Sequence, residues 1–236
     1  MQPIPLEQFL VIDIETVPQT KTFELLSEPL QQLWEHKHQM LKIEHETSAE
    51  SFEKRAGIYA EFGKIICISV GYFHKQGSEF QFRVKSFFGD DEAAILHDFS
   101  ALLSKKKAIV FSGHNIKEFD IPYLCRRMLI HKMKLPPALD FSGRKPWEVS
   151  SIDTLHLWRF GDYKNYTSLK LLAAVLQIPS PKEDIEGKDV ARVYWVESNL
   201  NRIAAYCQRD VVTVARLLLR FRNEQFELTD AQLVFV

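Results

Sequence analysis

The chain has 236 residues, of which 46% are hydrophobic and 26% are charged, and its formal net charge is −1 at pH 7. This composition is that of a globular protein with one large core, and it excludes a strongly basic nucleic-acid-binding protein. A nucleic-acid substrate would therefore have to be held by a local patch and by metal ions.

The N-terminus and the cysteines bear on the cellular compartment. The chain does not begin with the basic and apolar regions of a signal peptide, and no segment reaches the roughly eighteen apolar residues of a membrane span. Cys67, Cys125 and Cys207 show neither CxxC nor Cys/His zinc spacing and are expected to be reduced thiols in apolar surroundings. The sequence thus predicts a cytoplasmic protein without membrane contact.

The periodicity of apolar residues predicts alternating strands and helices. Residues 9–14 form a short, nearly continuous apolar run, which is typical of a central strand buried on both faces. Gly77 and Ser78 indicate a hairpin turn between the next two strands. Further strands are predicted at 64–73, 80–88, 108–112 and 151–155, helical segments at 22–56, 90–103, 121–134, 168–177 and 200–222, and loops at 135–150 and 178–189. This order predicts an α/β fold of three layers, with a mixed β-sheet flanked by helices.

Two carboxylates interrupt the first predicted strand. Asp13 and Glu15 lie two residues apart, so the period of a strand places both side chains on one face, roughly 6 to 7 Å apart. Burying an unpaired carboxylate costs several kcal/mol, so each requires a cation or must stay protonated. Salt bridges to Lys or Arg at the strand end would supply that cation, and so would a divalent metal ion held by oxygen ligands.

A third carboxylate, Asp120, lies where a predicted strand gives way to a helix. It belongs to the segment 113–122, Gly-His-Asn-Ile-Lys-Glu-Phe-Asp-Ile-Pro, whose Pro122 is tolerated in the first turn of a helix. A helix N-terminus favours an anion, so an ordinary N-cap would also explain Asp120.

A fourth carboxylate lies in the long C-terminal helix. Asp210 is one turn after Tyr206, and both share a face with apolar residues such as Ile203 and Val214. An ionised group on a stripe that should face the core is out of place for folding alone and indicates a functional site. An adjacent stripe, expected to be exposed to solvent, consists of Arg202, Arg209, Arg216 and Arg220.

These positions resemble the three motifs of the DEDD superfamily of 3′-to-5′ exonucleases. The matching segments are Asp13-Ile-Glu15-Thr16, Asn115-(x)3-Phe119-Asp120 and Tyr206-(x)3-Asp210. The tyrosine of the third motif is typical of the Tyr-type branch. The strongest likeness is to stand-alone proteins related to the exonuclease domain of family B DNA polymerases, and it extends through residues 56–65, 113–115 and 178–182.

The resemblance implies a ribonuclease H-like fold for the whole chain. Residues 1–236 would then form a single exonuclease domain, with the charged helical segment at about 22–56 inserted after the first strand. That insertion departs from the best-known exonuclease domains, and its role is open. The resemblance also implies hydrolysis with two divalent ions, and hard oxygen ligands favour Mg²⁺ or Mn²⁺ over zinc.

The resemblance assigns a role to each motif residue at the metal ions. Asp13 would bridge the two ions, Glu15 and Asp210 would complete the site that holds the attacking water, and Asp120 would support the second ion. The hydroxyl of Tyr206 would orient that water, and an aromatic core residue with a satisfied hydroxyl is the alternative.

Three further residues are candidates for substrate binding. Asn115 would either hold the substrate or cap the following turn, while Thr16 and Phe119 would line the pocket of the terminal nucleotide, where an aromatic ring can stack on a base.

The expected activity is removal of nucleotides from a 3′ end, with single-stranded DNA as the favoured substrate. One alternative is an exoribonuclease or an oligonucleotide-degrading enzyme, because the carboxylates act on phosphate and do not read the sugar. Another is a nucleic-acid-binding protein without activity, which the loss of an acidic residue would indicate, and none is lost. A chain of this length has no room for a polymerase, so proofreading would act in trans with replication or repair proteins.

Overall fold

A mixed β-sheet forms the centre of the fold. The computed structural model describes residues 4–77, 79–105, 109–145, 149–164, 166–179 and 184–236. Within these ranges six strands form one sheet in the order β5-β4-β1-β2-β3-β6. The strands are β1 (Phe9–Pro18), β2 (Gly63–Gln76), β3 (Glu79–Phe88), β4 (Val110–Gly113), β5 (Ser151–Asp153) and β6 (Leu233–Phe235). The predicted α/β fold with a mixed sheet is confirmed.

The first strand is central, as its apolar sequence predicts. β1 pairs antiparallel with β2 on one side and parallel with β4 on the other. Residues on both of its faces are buried, with Ile12 and Val11 both at 0% exposure. β2 and β3 form the predicted hairpin, in which Gly77 has a positive φ of 65°. Ser78 of that turn and Ala108 of the predicted fourth strand lie outside the described residues, as do residues 180–182 of the 178–182 segment.

Helices cover both faces of the sheet. They are α1 (Glu28–Leu41), α2 (Ser48–Arg55), α3 (Glu92–Ser104), α4 (Asp120–Ile130), α5 (Thr154–Arg159), α6 (Leu169–Val175), α7 (Val190–Trp195) and α8 (Leu200–Phe221). α5, α7 and β6 are additions to the predicted elements. The predicted strand at 151–155 ends at Asp153, because the Asp153 carboxylate accepts the Leu155 N–H and begins α5.

Two apolar layers join the sheet to its helices. On one face Ile12 packs with Leu96 of α3 and Leu124 of α4. On the other face Val11 packs with Val211 and Leu218 of α8. Asp13 and Glu15 follow Val11 in the strand alternation, so their side chains project toward α8.

The insertion between β1 and β2 has a small core of its own. Trp34 of α1 is fully buried and packs edge-on against Phe52 of α2 and Phe62, with ring centroids 5.4 and 5.0 Å away. The Trp34 indole N–H donates to the Ser48 carbonyl at 2.8 Å. The helical character predicted for residues 22–56 is confirmed, whereas the division of the chain into one domain with this insertion stays a prediction.

The arginine stripe of α8 is less exposed than its sequence indicates. Arg216 is 6% exposed, and its guanidinium donates to the carbonyls of Leu228 and Pro179 and to the carboxylate of Asp230. This arginine therefore fastens the C-terminal segment to α8. Among the described residues, no helix has both the length and the apolar character needed to cross a bilayer.

Candidate active site

Asp13 and Glu15 lie next to a thiol of α8. The Cys207 Sγ donates to the Asp13 Oδ2 at 3.2 Å, and one side-chain oxygen or sulfur atom from each of Asp13, Glu15 and Cys207 lies within 4.8 Å of the other two. Cys207 is buried by the apolar face of α8, which packs on β1. Strand alternation, which predicts both carboxylates on one face of β1, therefore brings them close together.

Burial makes these two carboxylates hard to ionise. It raises the pKa of Asp13 well above the ordinary aspartate value, and the charges of Asp210 and Asp120 raise it further. The pKa of Glu15 is raised by burial first and then by Asp13 and Asp210. Among the ion pairs between described residues, none includes Asp13 or Glu15, so the salt-bridge alternative is not supported. The site instead concentrates negative charge that a bound cation would neutralise.

Asp120 joins the same site through the backbone of β1. Asp120 is 3% exposed and is the first residue of α4, with Phe119 at the N-cap position. Its Oδ1 accepts the Ile14 N–H at 3.1 Å, so the side chain bonds to the strand between Asp13 and Glu15. Burial raises the pKa of Asp120 to about 7 against the opposing effect of backbone hydrogen bonds, and Asp153 and Asp210 contribute to the rise. The N-cap alternative is thus wrong.

The residues of the third motif approach from α8. Asp210 and Tyr206 are half-buried and one turn apart, next to the buried Val211 that packs on the sheet. Asp210 is close enough to raise the pKa values of Asp13, Glu15 and Asp120. The fold therefore gathers all four predicted carboxylates around the middle of β1.

Two of the three predicted substrate residues line a cleft beside Glu15. Thr16 and Phe119 face this cleft, which has a volume of about 570 Å³. A β-bulge lies at the same place, because Glu15 pairs with Cys67 and Thr16 with Ile65, leaving one residue of β2 unmatched. Bulges re-aim side chains and often occur next to active sites.

The third, Asn115, lies in the turn after β4. Its φ of 67° is left-handed, a conformation that Asn tolerates. Its backbone carbonyl accepts the Glu118 and Phe119 N–H groups, whereas its buried Oδ1 has no hydrogen-bond partner among the residues that the structure describes. The side chain does not cap the turn, and a role in substrate binding stays a prediction.

The structure adds Asp153 to the site. The Asp153 carboxylate is 2% exposed and accepts N–H groups from Asn115 at 2.9 Å, Lys117 at 3.1 Å and Leu155 at 3.0 Å. It therefore fixes the turn that leads into Asp120. The sequence feature that could have indicated Asp153 is its position directly before a short helix.

Tyr166 is a second addition from outside the motifs. Its ring lies edge-on to His114, with centroids 6.3 Å apart. Burial raises the pKa of the Tyr166 hydroxyl, and Asp120, Asp153 and Asp13 raise it further, which places this hydroxyl beside the acidic site. The exposed segment that carries it has no helical or strand periodicity, so the sequence offered no signal.

Comparison with known proteins assigns the chain to a family. Residues 58–234 match the family described as "Predicted 3'-5' exonuclease related to the exonuclease domain of PolB". The chain belongs to this family. The matched range includes Asp120, Tyr206 and Asp210, and it begins after both the insertion and the Asp13-Glu15 motif. The resemblance to stand-alone proteins related to the exonuclease domain of family B DNA polymerases is confirmed, whereas the Tyr-type assignment stays a prediction.

A solved structure supports the fold of this exonuclease family member. The family B DNA polymerase from the hyperthermophilic archaeon Pyrobaculum calidifontis is similar over 92% of this chain, with 18% sequence identity and a TM-score of 0.51. The chain spans 25% of the length of the polymerase. At 18% sequence identity the likeness concerns the fold alone. It confirms the predicted ribonuclease H-like architecture. None of the curated proteins matches the chain in sequence.

Proposed function

We propose that this protein removes nucleotides from the 3′ end of a nucleic acid, with single-stranded DNA as the favoured substrate, in a reaction that requires two divalent ions. The observation that carries the proposal is the convergence of Asp13, Glu15, Asp120 and Asp210 at the middle of β1, beside an open cleft. Family membership supplies the direction of hydrolysis.

The residues present fit divalent ions. Buried carboxylates that raise one another's pKa values are destabilising as bare anions, and oxygen-liganded cations remove that penalty. Asp13, Glu15, Asp120 and Asp210 would hold the ions, and the hard oxygen donors favour Mg²⁺ or Mn²⁺. Bound ions of this kind supply the charge that activates water and stabilises the leaving 3′-oxygen.

We do not count the Cys207 thiol among the ligands, because Mg²⁺ and Mn²⁺ prefer oxygen donors. Burial raises the pKa of Cys207 well above that of an ordinary thiol. The thiol donates a hydrogen bond to Asp13 and holds the carboxylate in place.

The other residues orient the reactants. The Tyr206 hydroxyl positions the attacking water from α8, and Thr16 and Phe119 contact the terminal nucleotide from the cleft that they line. Asn115 lies in the turn after β4, and its side-chain amide is the group that we assign to the substrate there. Asp120 keeps its position because the Ile14 N–H holds it.

The proposal is tested by the polarity of degradation. Purified protein is incubated with Mg²⁺ or Mn²⁺ and with single-stranded DNA or RNA labelled at either the 5′ or the 3′ end. A 3′-to-5′ exonuclease produces a ladder from the 5′-labelled strand and releases labelled mononucleotide at once from the 3′-labelled strand. Faster DNA degradation supports the DNA preference, and faster RNA degradation replaces it with the exoribonuclease alternative. Internal cleavage, or binding without degradation, would contradict the proposed activity.

A further inference from the structure

The cleft beside Glu15 is built between the insertion and α7. Its wall continues from Thr16 and Phe119 to Trp195 on the α7 side. On the insertion side it is formed by Lys54 of α2 and by the flanking residues Lys21 and Ile58. Its volume of about 570 Å³ is in the range of pockets that hold small organic ligands, so it is large enough for a single nucleotide.

The insertion wall is fixed in place by the small core around Trp34. Phe62, which packs against Trp34, accepts the Gln19 N–H at 2.9 Å through its carbonyl and so joins the insertion to the strand end. Gly57 lies so close to β1 that a Cβ at this position would be 3.1 Å from the Val17 backbone. Its carbonyl accepts the Tyr123 hydroxyl at 2.8 Å. This wall is thus a rigid surface held against β1.

The α7 wall is fixed by polar contacts. The Trp195 indole N–H donates to the Pro18 carbonyl at 3.2 Å. The neighbouring Tyr194 accepts a hydrogen bond from the Lys64 ammonium group at 2.8 Å and donates to Asp90 at 2.7 Å. α7 is therefore tied to both β1 and β2.

The chemistry of the walls combines positive charge with exposed apolar groups. Lys21 is exposed and belongs to no ion pair between described residues, and the Lys54 side chain remains 59% exposed beside its partner Glu46. Ile58 is 57% exposed, and Val196 on the other wall is 70% exposed. Apart from Glu15 itself, Glu53 is the acidic residue among the described lining residues. An occupant that is anionic along one edge and flat and apolar along the other matches these walls.

We propose that the insertion and α7 form a binding cleft for the single-stranded end of the nucleic acid next to the scissile phosphate. In this cleft Lys21 and Lys54 contact phosphates, and Ile58 packs against a base. The proposal rests on the proposed function and gives the insertion a role, which is to enclose the strand end that enters the acidic site.

The test measures binding separately from hydrolysis. The affinity of the full-length protein for a 5′-fluorescein single-stranded oligonucleotide is measured by fluorescence anisotropy with Ca²⁺ in place of Mg²⁺ and Mn²⁺, over a series of salt concentrations. Degradation is measured in parallel with Mg²⁺ or Mn²⁺. The variants are Lys21→Ala/Lys54→Ala and Ile58→Asn, and the matched control is Lys75→Ala/Lys85→Ala on the β2-β3 hairpin. All five positions are exposed, so folding is checked by thermal unfolding.

The two kinds of contact predict different signatures. Loss of two phosphate contacts reduces the slope of log affinity against log salt by about 1.4 and weakens binding about tenfold at roughly 0.1 M salt. Ile58→Asn weakens binding without changing the slope, because base packing releases no counterions. The hairpin control retains the wild-type affinity and slope.

These measurements distinguish failure of the proposed binding cleft from failure of the proposed exonuclease activity. If the Lys21→Ala/Lys54→Ala protein binds the oligonucleotide with the wild-type affinity and the wild-type salt dependence, the proposed binding cleft is refuted. This conclusion holds even if the protein degrades nucleic acid and the proposed function stands. Failure of the wild-type protein to bind the oligonucleotide would also refute the proposed binding cleft. Weakened binding in the cleft variants without any degradation by the wild-type protein would support the cleft and refute the exonuclease activity.

Discussion

The Asp120 carboxylate accepts a hydrogen bond from the Ile14 backbone N–H at 3.1 Å, across 106 residues of sequence. This contact joins the start of α4 to the backbone N–H of Ile14, the residue between Asp13 and Glu15. It makes Asp120 both a structural acceptor and a member of the acidic site, and substitutions can separate these two roles.

Asp120→Asn and Asp120→Ala are expected to differ in stability and to agree in activity. Asn keeps an oxygen that accepts the Ile14 N–H, whereas Ala leaves a buried donor unpaired at a cost of about 1–3 kcal/mol. Both remove a charged ligand, so we expect both to lower the rate of degradation about 100-fold or more. Chemical denaturation and end-labelled substrates provide the two measurements. Equal stability of the two variants would argue against the structural role.

Cys207→Ala is expected to retain metal-dependent degradation within about tenfold of wild type. Burial raises the pKa of the Cys207 thiol, and Mg²⁺ and Mn²⁺ prefer oxygen ligands. Asp13→Asn is the matched comparison, since it removes an oxygen ligand at the other end of the same hydrogen bond. Rates are measured over a range of Mn²⁺ concentrations. A loss of activity in Cys207→Ala as large as in Asp13→Asn would make the thiol a ligand.

Glu92→Gln is expected to destabilise the protein at neutral pH by about 3–5 kcal/mol, because it leaves the buried Arg127 guanidinium without its anion. Burial raises the pKa of Glu92, but hydrogen bonds from Arg127 and from the Ile65 N–H outweigh it and lower the pKa below 4.5. A lowered pKa in the folded state adds stability above the unfolded-state value, and that stability is lost as the pH falls through the folded-state value.

The difference between wild type and Glu92→Gln should therefore narrow as the pH falls below about 4.5. Urea denaturation at several pH values measures the free energy of unfolding of both proteins. Glu35→Gln, on the exposed face of α1, is the control. A difference that stays constant with pH would show that the Glu92 charge makes no contribution to folding.

The sequence predicts the elements whose patterns are long or unambiguous. The apolar run of β1 and the helical period of α8 extend over enough residues to fix their structure, and they carry Asp13, Glu15 and Asp210. α7 and β6 have six and three residues, too few for a period to emerge. β6 also depends on pairing with β3, which lies far away in the sequence.

The sequence predicts which acidic residues belong to the site, but it predicts only part of their arrangement in space. Strand alternation places Asp13 and Glu15 on one face, but it carries no information about which residue of α8 faces them. Cys207 therefore looks like an inert core thiol in the sequence, whereas the fold places it against Asp13. Asp153 likewise acquires its role through a long-range approach to the Asn115 turn.

The most direct test of the acidic site measures mononucleotide release from a single-stranded 3′-labelled oligonucleotide as Mn²⁺ is titrated. Wild type, Asp13→Asn and Asp210→Asn are compared with Asp98→Asn, whose side chain is 70% exposed on α3. We predict that release requires the metal, stops with a chelator, is lost in the two site variants and is retained in Asp98→Asn. Release that continues with the chelator, or that is unchanged in Asp13→Asn and Asp210→Asn, would contradict a metal-dependent exonuclease site at these carboxylates.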